Sequence, residues 1–151
     1  MKVIGYFVPL QSDFFVQRND TDLKDAVNVY FTNVKISKAV GDSYQIKALY
    51  VIQPIPTYKY DIKYDFFLSN YSELPVQHQW SGKGYQYLYS EYLKNYADSE
   101  DILWLGDIQE NKTTNLYADN VHYTASFNKE IADSISQKLE IMIINKSTKY
   151  R

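Results

Sequence analysis

Two short apolar runs, each set between helical patterns, constrain the fold of this chain more than any other feature. The runs are QIKALYVI, residues 45–52, and DILWL, residues 101–105. The first is continuously apolar in its second half and stops at Gln53-Pro54. A run without alternation suits an interior parallel strand covered on both faces. Before it, Leu23, Ala26, Val27, Tyr30, Phe31 and Val34 recur at helical spacing, predicting a helix to about Val40. Asp20 or Thr21 is expected to cap this helix and Gly41 to stop it. Tyr85, Leu88, Tyr89, Tyr92, Leu93 and Tyr96 predict a second helix. Phe127, Ile131, Ile135, Leu139 and Met142 predict a third, capped by Thr124 or Ser126, with residues 145–151 fraying. The order helix, strand, helix, strand, helix predicts an α/β fold. Its form is a partial or compact three-layer α/β/α sandwich with a mostly parallel sheet.

A sheet of two strands leaves both edges open. Either residues 2–8 and the middle region supply further strands, or the chain belongs to a larger domain. Residues 54–84 contain three prolines and two glycines without a stable period. They are expected to form a long crossover or lid with short helices.

At 151 residues the chain is long enough for one domain. A chain of this size buries about 70% of its unfolded surface. Lys plus Arg is 16 and Asp plus Glu is 18, a formal charge of -2. That balance argues against a nucleic-acid partner, which needs a concentrated basic face. The absence of cysteine excludes disulfides and Cys-ligated zinc. No segment reaches the ~20 apolar residues that span a bilayer. The start, MKVIGYFVPLQSDFF, lacks a small-residue cleavage site, so the cytoplasm is the default compartment. The 16 tyrosines are expected mainly as packing residues; a carbohydrate or partner surface is the alternative.

The chemistry concentrates in Asp119-Asn120-Val121-His122, between the second strand and the last helix. A carboxylate three residues from an imidazole makes a base-and-orienter pair. Histidine is the side-chain type best suited to general-base work at neutral pH, so His122 would be the base and Asp119 would fix its tautomer. The alternative is a loop Asp that caps nearby backbone and a His packed beside Tyr123. Three weaker features accompany the pair. Asp101, Asp107 and Glu110 form an acidic series around the second strand, His78 lies beside Trp80, and Ser81-Gly82-Lys83-Gly84 is short and glycine-rich. The last lacks the full phosphate-loop pattern and its strand context.

From about Leu23 to Leu139 the chain resembles the C-terminal portion of the SGNH hydrolases, also called the GDSL esterase/lipase family. The pieces that carry the resemblance are VYFTNVKISKAVGDSYQIKALYVIQPIP, DILWLGDIQ and LYADNVHYTASFNKEIADSI. The resemblance implies a serine esterase or acyl hydrolase acting on small or carbohydrate-linked esters. Asp119 would be the triad Asp and His122 the base, with no cofactor or metal. It also implies a domain incomplete at its N-terminus, because the family's nucleophile block precedes these segments. Gly41-Asp42-Ser43 repeats the family's Gly-Asp-Ser string, but it follows a helix and precedes a strand. A nucleophile elbow needs strand, turn, helix, so Ser43 is expected to be a turn residue. No Gly-x-Asn-Asp block supplies oxyanion donors, and Asn19-Asp20 lacks the strand that should lead into it. The expected partners are an ester substrate and either a missing N-terminal half or a second copy meeting an exposed sheet edge. A noncatalytic binding or interaction domain is the rival expectation.

Overall fold

A computed structural model describes residues 19–67 and 76–148. Residues 2–8, expected as a strand or terminal arm, lie outside the described residues, as do residues 68–75 of the middle region.

Helix α1 spans Asp20–Ser43. Its cap is Asn19, one residue before the expected pair. Asn19 accepts from the Asp22 backbone N–H at 3.0 Å, and the Asp22 carboxylate accepts from the Asn19 N–H at 3.1 Å. This reciprocal box satisfies two donors that a helix start otherwise leaves orphaned. Removing the Asn19 side chain by Asn19→Ala is expected to cost about 1 kcal/mol, measured by urea unfolding. The helix does not stop at Gly41. It runs through Gly41 to Ser43, and the left-handed residue that ends it is Gln45, with φ 60°. The Ile46 N–H donates to the Gly41 carbonyl at 2.8 Å and the Gln45 N–H to the Asp42 carbonyl at 3.1 Å. That pair of bonds is a Schellman closure. Gly41 is needed for close approach instead: a Cβ there would lie 3.0 Å from the Ile46 carbonyl oxygen.

The same closure shortens the first strand. Residues 45 and 46 fold back onto the helix, so strand β1 is only Tyr50–Ile52. It pairs in parallel with β2, Ile102–Trp104, in the register Tyr50↔Ile102, Val51↔Leu103, Ile52↔Trp104. Among the described residues this is the whole sheet. Between the strands lie a 3-10 turn at Ile62–Tyr64, the short helix α2 at Val76–Gln79, and α3 at Ser81–Asn95. The last helix, α4, covers Ala125–Thr148 and so extends into the stretch expected to fray.

Side-chain alternation along the strands divides the core in two. Ile52 and Ile102 face α1 and α3, packing with Val27, Phe31, Val34 and Leu88. Val51 and Leu103 face α4, packing with Tyr60, Leu105, Leu116, Tyr117, Phe127 and Ile131. The result is a compact α/β fold with helices on both faces of a small parallel sheet, as the order of apolar runs predicted. Tyrosine is largely a packing residue here: Tyr58, Tyr60 and Tyr117 are buried. No helix among the described residues is long and apolar enough to cross a membrane.

Candidate active site

The segment Leu116–Thr124 is closed at its base rather than a free loop. Tyr117 and Tyr123 form an antiparallel bridge. The Ala118 N–H donates to the His122 carbonyl at 2.7 Å, and the Thr124 N–H to the Leu116 carbonyl at 2.9 Å. Asp119 and His122 sit in the tip. One oxygen of Asp119 accepts from the backbone N–H groups of Val121 at 2.9 Å and His122 at 2.8 Å. The other lies 2.6 Å from His122 Nδ1. Asp119 does cap local backbone, and it also engages the imidazole.

The carboxylate selects the tautomer with a proton on Nδ1, which leaves the lone pair on Nε2. Among the described residues no serine hydroxyl hydrogen-bonds that nitrogen. The pair is open to solvent, with side-chain exposures of 77% for His122 and 53% for Asp119. Hydrogen bonds from the His122 and Val121 backbone N–H groups, then from the imidazole, hold the Asp119 carboxyl down at about 2. A depressed folded-state pKa stabilises the tip above the ordinary carboxylate range. The support is expected to fade as pH falls through about 2. Amide exchange at Val121 and His122 should accelerate over that acid range relative to Leu105, once corrected for intrinsic rates.

The tip is fastened to the exit of β1. Tyr123 Oη donates to the Pro54 carbonyl at 2.7 Å, and Tyr85 Oη donates to the neighbouring Gln53 carbonyl at 2.7 Å. In open α/β sheets, ligand sites lie outside the carboxyl ends of the strands. The Asp–His pair is tied to that edge. Ser43 is not. Its hydroxyl donates to the Val40 carbonyl at 2.7 Å at the end of α1, where the chain enters β1 from the amino side. Ser43 and His122 belong to opposite ends of the sheet. Asn19 is occupied as a helix cap.

The weaker sequence features resolve as structural parts. Asp101 and Asp107 flank β2 at its two ends, so the acidic series does not converge. Asp101 pairs with Lys38, while Asp107 and Glu110 share Lys59 Nζ, each at 3.1 Å. These two carboxylates hold the Lys59 ammonium well above its ordinary range. Among the described residues no three His, Cys, Asp or Glu side chains form a metal-binding group. His78 is partly buried on α2, a separate element from the Asp–His tip. Gly82 lies under the Thr57 carbonyl, and Lys83 pairs with Asp20. The glycine-rich start of α3 is thus a packing device.

The sequence carried no pattern for Gln109. It is completely buried, yet it donates to the Ile55 carbonyl at 2.6 Å and to that of Tyr58, and accepts from Tyr117 Oη at 2.5 Å. Trp104 was read as a strand residue only. It is surrounded by Tyr58, Tyr85, Tyr89 and Tyr92, with ring centroids between 4.9 and 5.9 Å from its own. No protein-family model, curated protein or solved structure matches the chain. Roles at this site therefore rest on its own geometry and on the motif resemblance.

Proposed function

We propose that this chain carries the acid–base half, Asp119 and His122, of an SGNH-type serine esterase or acyl-hydrolase site. The observation that supports the reading is the 2.6 Å contact between His122 Nδ1 and Asp119, at a tip fastened to the β1 exit and with Nε2 unengaged among the described residues. In such a site Nε2 removes the proton from a serine hydroxyl as the oxygen attacks an ester carbonyl. Asp119 steadies the imidazolium that forms. The proton then passes to the departing alcohol, leaving an acyl-serine. His122 next takes a proton from water as the water oxygen attacks the acyl carbon, and returns it to the serine oxygen as the carboxylic acid leaves. The substrate class is small or carbohydrate-linked esters. Neither Ser43 nor any serine hydrogen-bonded to His122 fills the nucleophile's role, so the hydroxyl comes from outside the described contacts.

The second reading is a noncatalytic binding or interaction domain. It is favoured by the exposure of the pair and by the position of a separate groove. That groove, about 960 Å³, is lined by Ile46, Leu49, Leu139, Met142 and Ile143 at the amino end of the sheet, away from His122.

Hydrolysis of a short-chain aryl acetate by the purified chain tests the first reading. On the hydrolase reading His122→Ala lowers the rate by roughly 10²–10⁴-fold, and Ser43→Ala leaves it unchanged. Loss in both variants would make Ser43 the nucleophile. A rate no higher than that of His122→Ala would leave either a half-site that needs its nucleophile from another segment or the binding domain.

A further inference from the structure

We propose that Gln109 is a positioning residue for the Asp119–His122 pair, acting through Tyr117. The two residues at the base of the tip, Tyr117 and Tyr123, are tied to one short segment that follows β1. Tyr123 Oη reaches the Pro54 carbonyl directly at 2.7 Å. Tyr117 Oη reaches it indirectly, through the 2.5 Å bond to Gln109 Oε1. The Gln109 amide in turn donates to the carbonyls of Ile55, at 2.6 Å, and Tyr58. Pro54 and Pro56 have no N–H, so this segment cannot continue a regular strand ladder, and carbonyls along it are free to accept.

A fully buried amide is costly unless each of its groups is matched. Gln109 meets that condition with both donors and its acceptor engaged, and it spans two parts of the chain that share no regular element. Tyr117 is itself fully buried and packs against Tyr60, Tyr123 and Phe127. Its hydroxyl is the ring's one polar atom and its bond to Gln109 pins the far end of the side chain, while the backbone of the same residue leads into Ala118 and Asp119. With the base fixed at two points, the tip is held closed. Closure is what keeps both backbone N–H groups and the imidazole on the Asp119 carboxylate. The functional meaning of the positioning rests on the hydrolase reading; the positioning itself does not.

The test therefore reads the pair without any substrate. Tyr117→Phe removes one oxygen and leaves the ring in place. Gln109→Leu removes the amide at similar volume. Val34→Ala, in the other core, serves as a control for lost stability. The carboxyl carbon of Asp119 is titrated by NMR, and the His122 tautomer is read from its ring ¹⁵N shifts at alkaline pH. Wild type is expected to titrate at about 2 and to hold the proton on Nδ1. Both Tyr117→Phe and Gln109→Leu should move the Asp119 midpoint toward 3.8 and mix the tautomers, while Val34→Ala changes neither. Should Gln109→Leu fail to fold, Tyr117→Phe alone decides. An unchanged midpoint and tautomer in a folded Tyr117→Phe would overturn the proposal, as would an equal change in Val34→Ala. An inactive wild type with the expected NMR behaviour would rule out a self-sufficient hydrolase site in this chain and leave the positioning intact.

Discussion

Phe127→Ala is expected to lower the unfolding free energy by about 3–5 kcal/mol, the range for truncating a buried aromatic. Phe127 has no exposed surface and stands edge-on to Tyr117 and Tyr123, at centroid distances of 6.1 and 5.3 Å. It is the point where α4 meets the base of the Asp–His tip. Two features make the upper part of the range more appropriate than the lower. The lost ring leaves a cavity walled by other rings, which relax poorly because Tyr117 and Tyr123 are held by their hydroxyls. Among the described residues Ile131 and Ile135 share with Phe127 the task of seating α4 in this core. Urea unfolding followed by tyrosine fluorescence would measure the loss. A cost below about 1 kcal/mol, the level of an ordinary surface change, would mean that α4 is not seated as described.

The second large effect comes from adding a single carbon. Gly82→Ala sets two effects of opposite sign against each other. Alanine improves helix propensity by up to about 1 kcal/mol over glycine. At Gly82, however, the new Cβ would be driven into the Thr57 carbonyl oxygen, and it would lie 3.0 Å from the carbonyl carbon and 3.3 Å from Thr57 Cβ. These are mostly backbone atoms and cannot swing aside. Overpacking of this kind costs about 1–3 kcal/mol, occasionally more, and should outweigh the propensity gain. The expected net loss is roughly 2 kcal/mol, a fall of about 4–8 °C in melting temperature for a chain of this length. Gly84→Ala, two residues on and on nearly the opposite face of the same helix, is the internal comparison. Its Cβ would meet only Leu23 Cδ2 at an ordinary 3.7 Å, so that variant should be neutral or slightly stabilised. Differential scanning calorimetry of the pair tests the sign of each; equal shifts would show that α3 does not press on the Thr57 segment.

The layers were legible because each rests on a pattern with a single physical cause. Ile52 and Ile102 lie in apolar runs, and Val27, Phe31, Leu88, Phe127 and Ile131 recur at helical spacing; burial imposes both. The element ends were less legible. A glycine after a helical stripe, such as Gly41, is a reasonable stop, but the left-handed position fell to Gln45, whose side chain gives no hint of it. The start of α1 was misplaced by one residue. Three polar residues in succession, Asn19, Asp20 and Thr21, all suit a cap, and only Asn19 has an acidic residue three positions on that bonds back. The Asp119–His122 contact was visible because it is local, closed within one turn. Gln109 was not. Its partners Ile55, Tyr58 and Tyr117 are brought to it by the tertiary fold, and no spacing in the sequence encodes that meeting. The same limit applies to a nucleophile, whose place beside His122 would be set by the fold and not by distance along the chain.

The division of the core has a consequence for how the molecule opens. Among the described residues the layer of α1 and α3 and the layer of α4 meet across a sheet two strands wide, each strand three residues long, and along the segment that follows β1. Such a septum transmits little cooperativity, so the two layers need not unfold together. The α4 layer, with Tyr117 and the Asp–His tip, can detach as a unit while α1 remains packed on α3. Native-state hydrogen exchange would then separate into two families of protected amides, with those of α4 and the tip released at the lower free energy. Asp119 and His122 would belong to the part of the protein that breathes first.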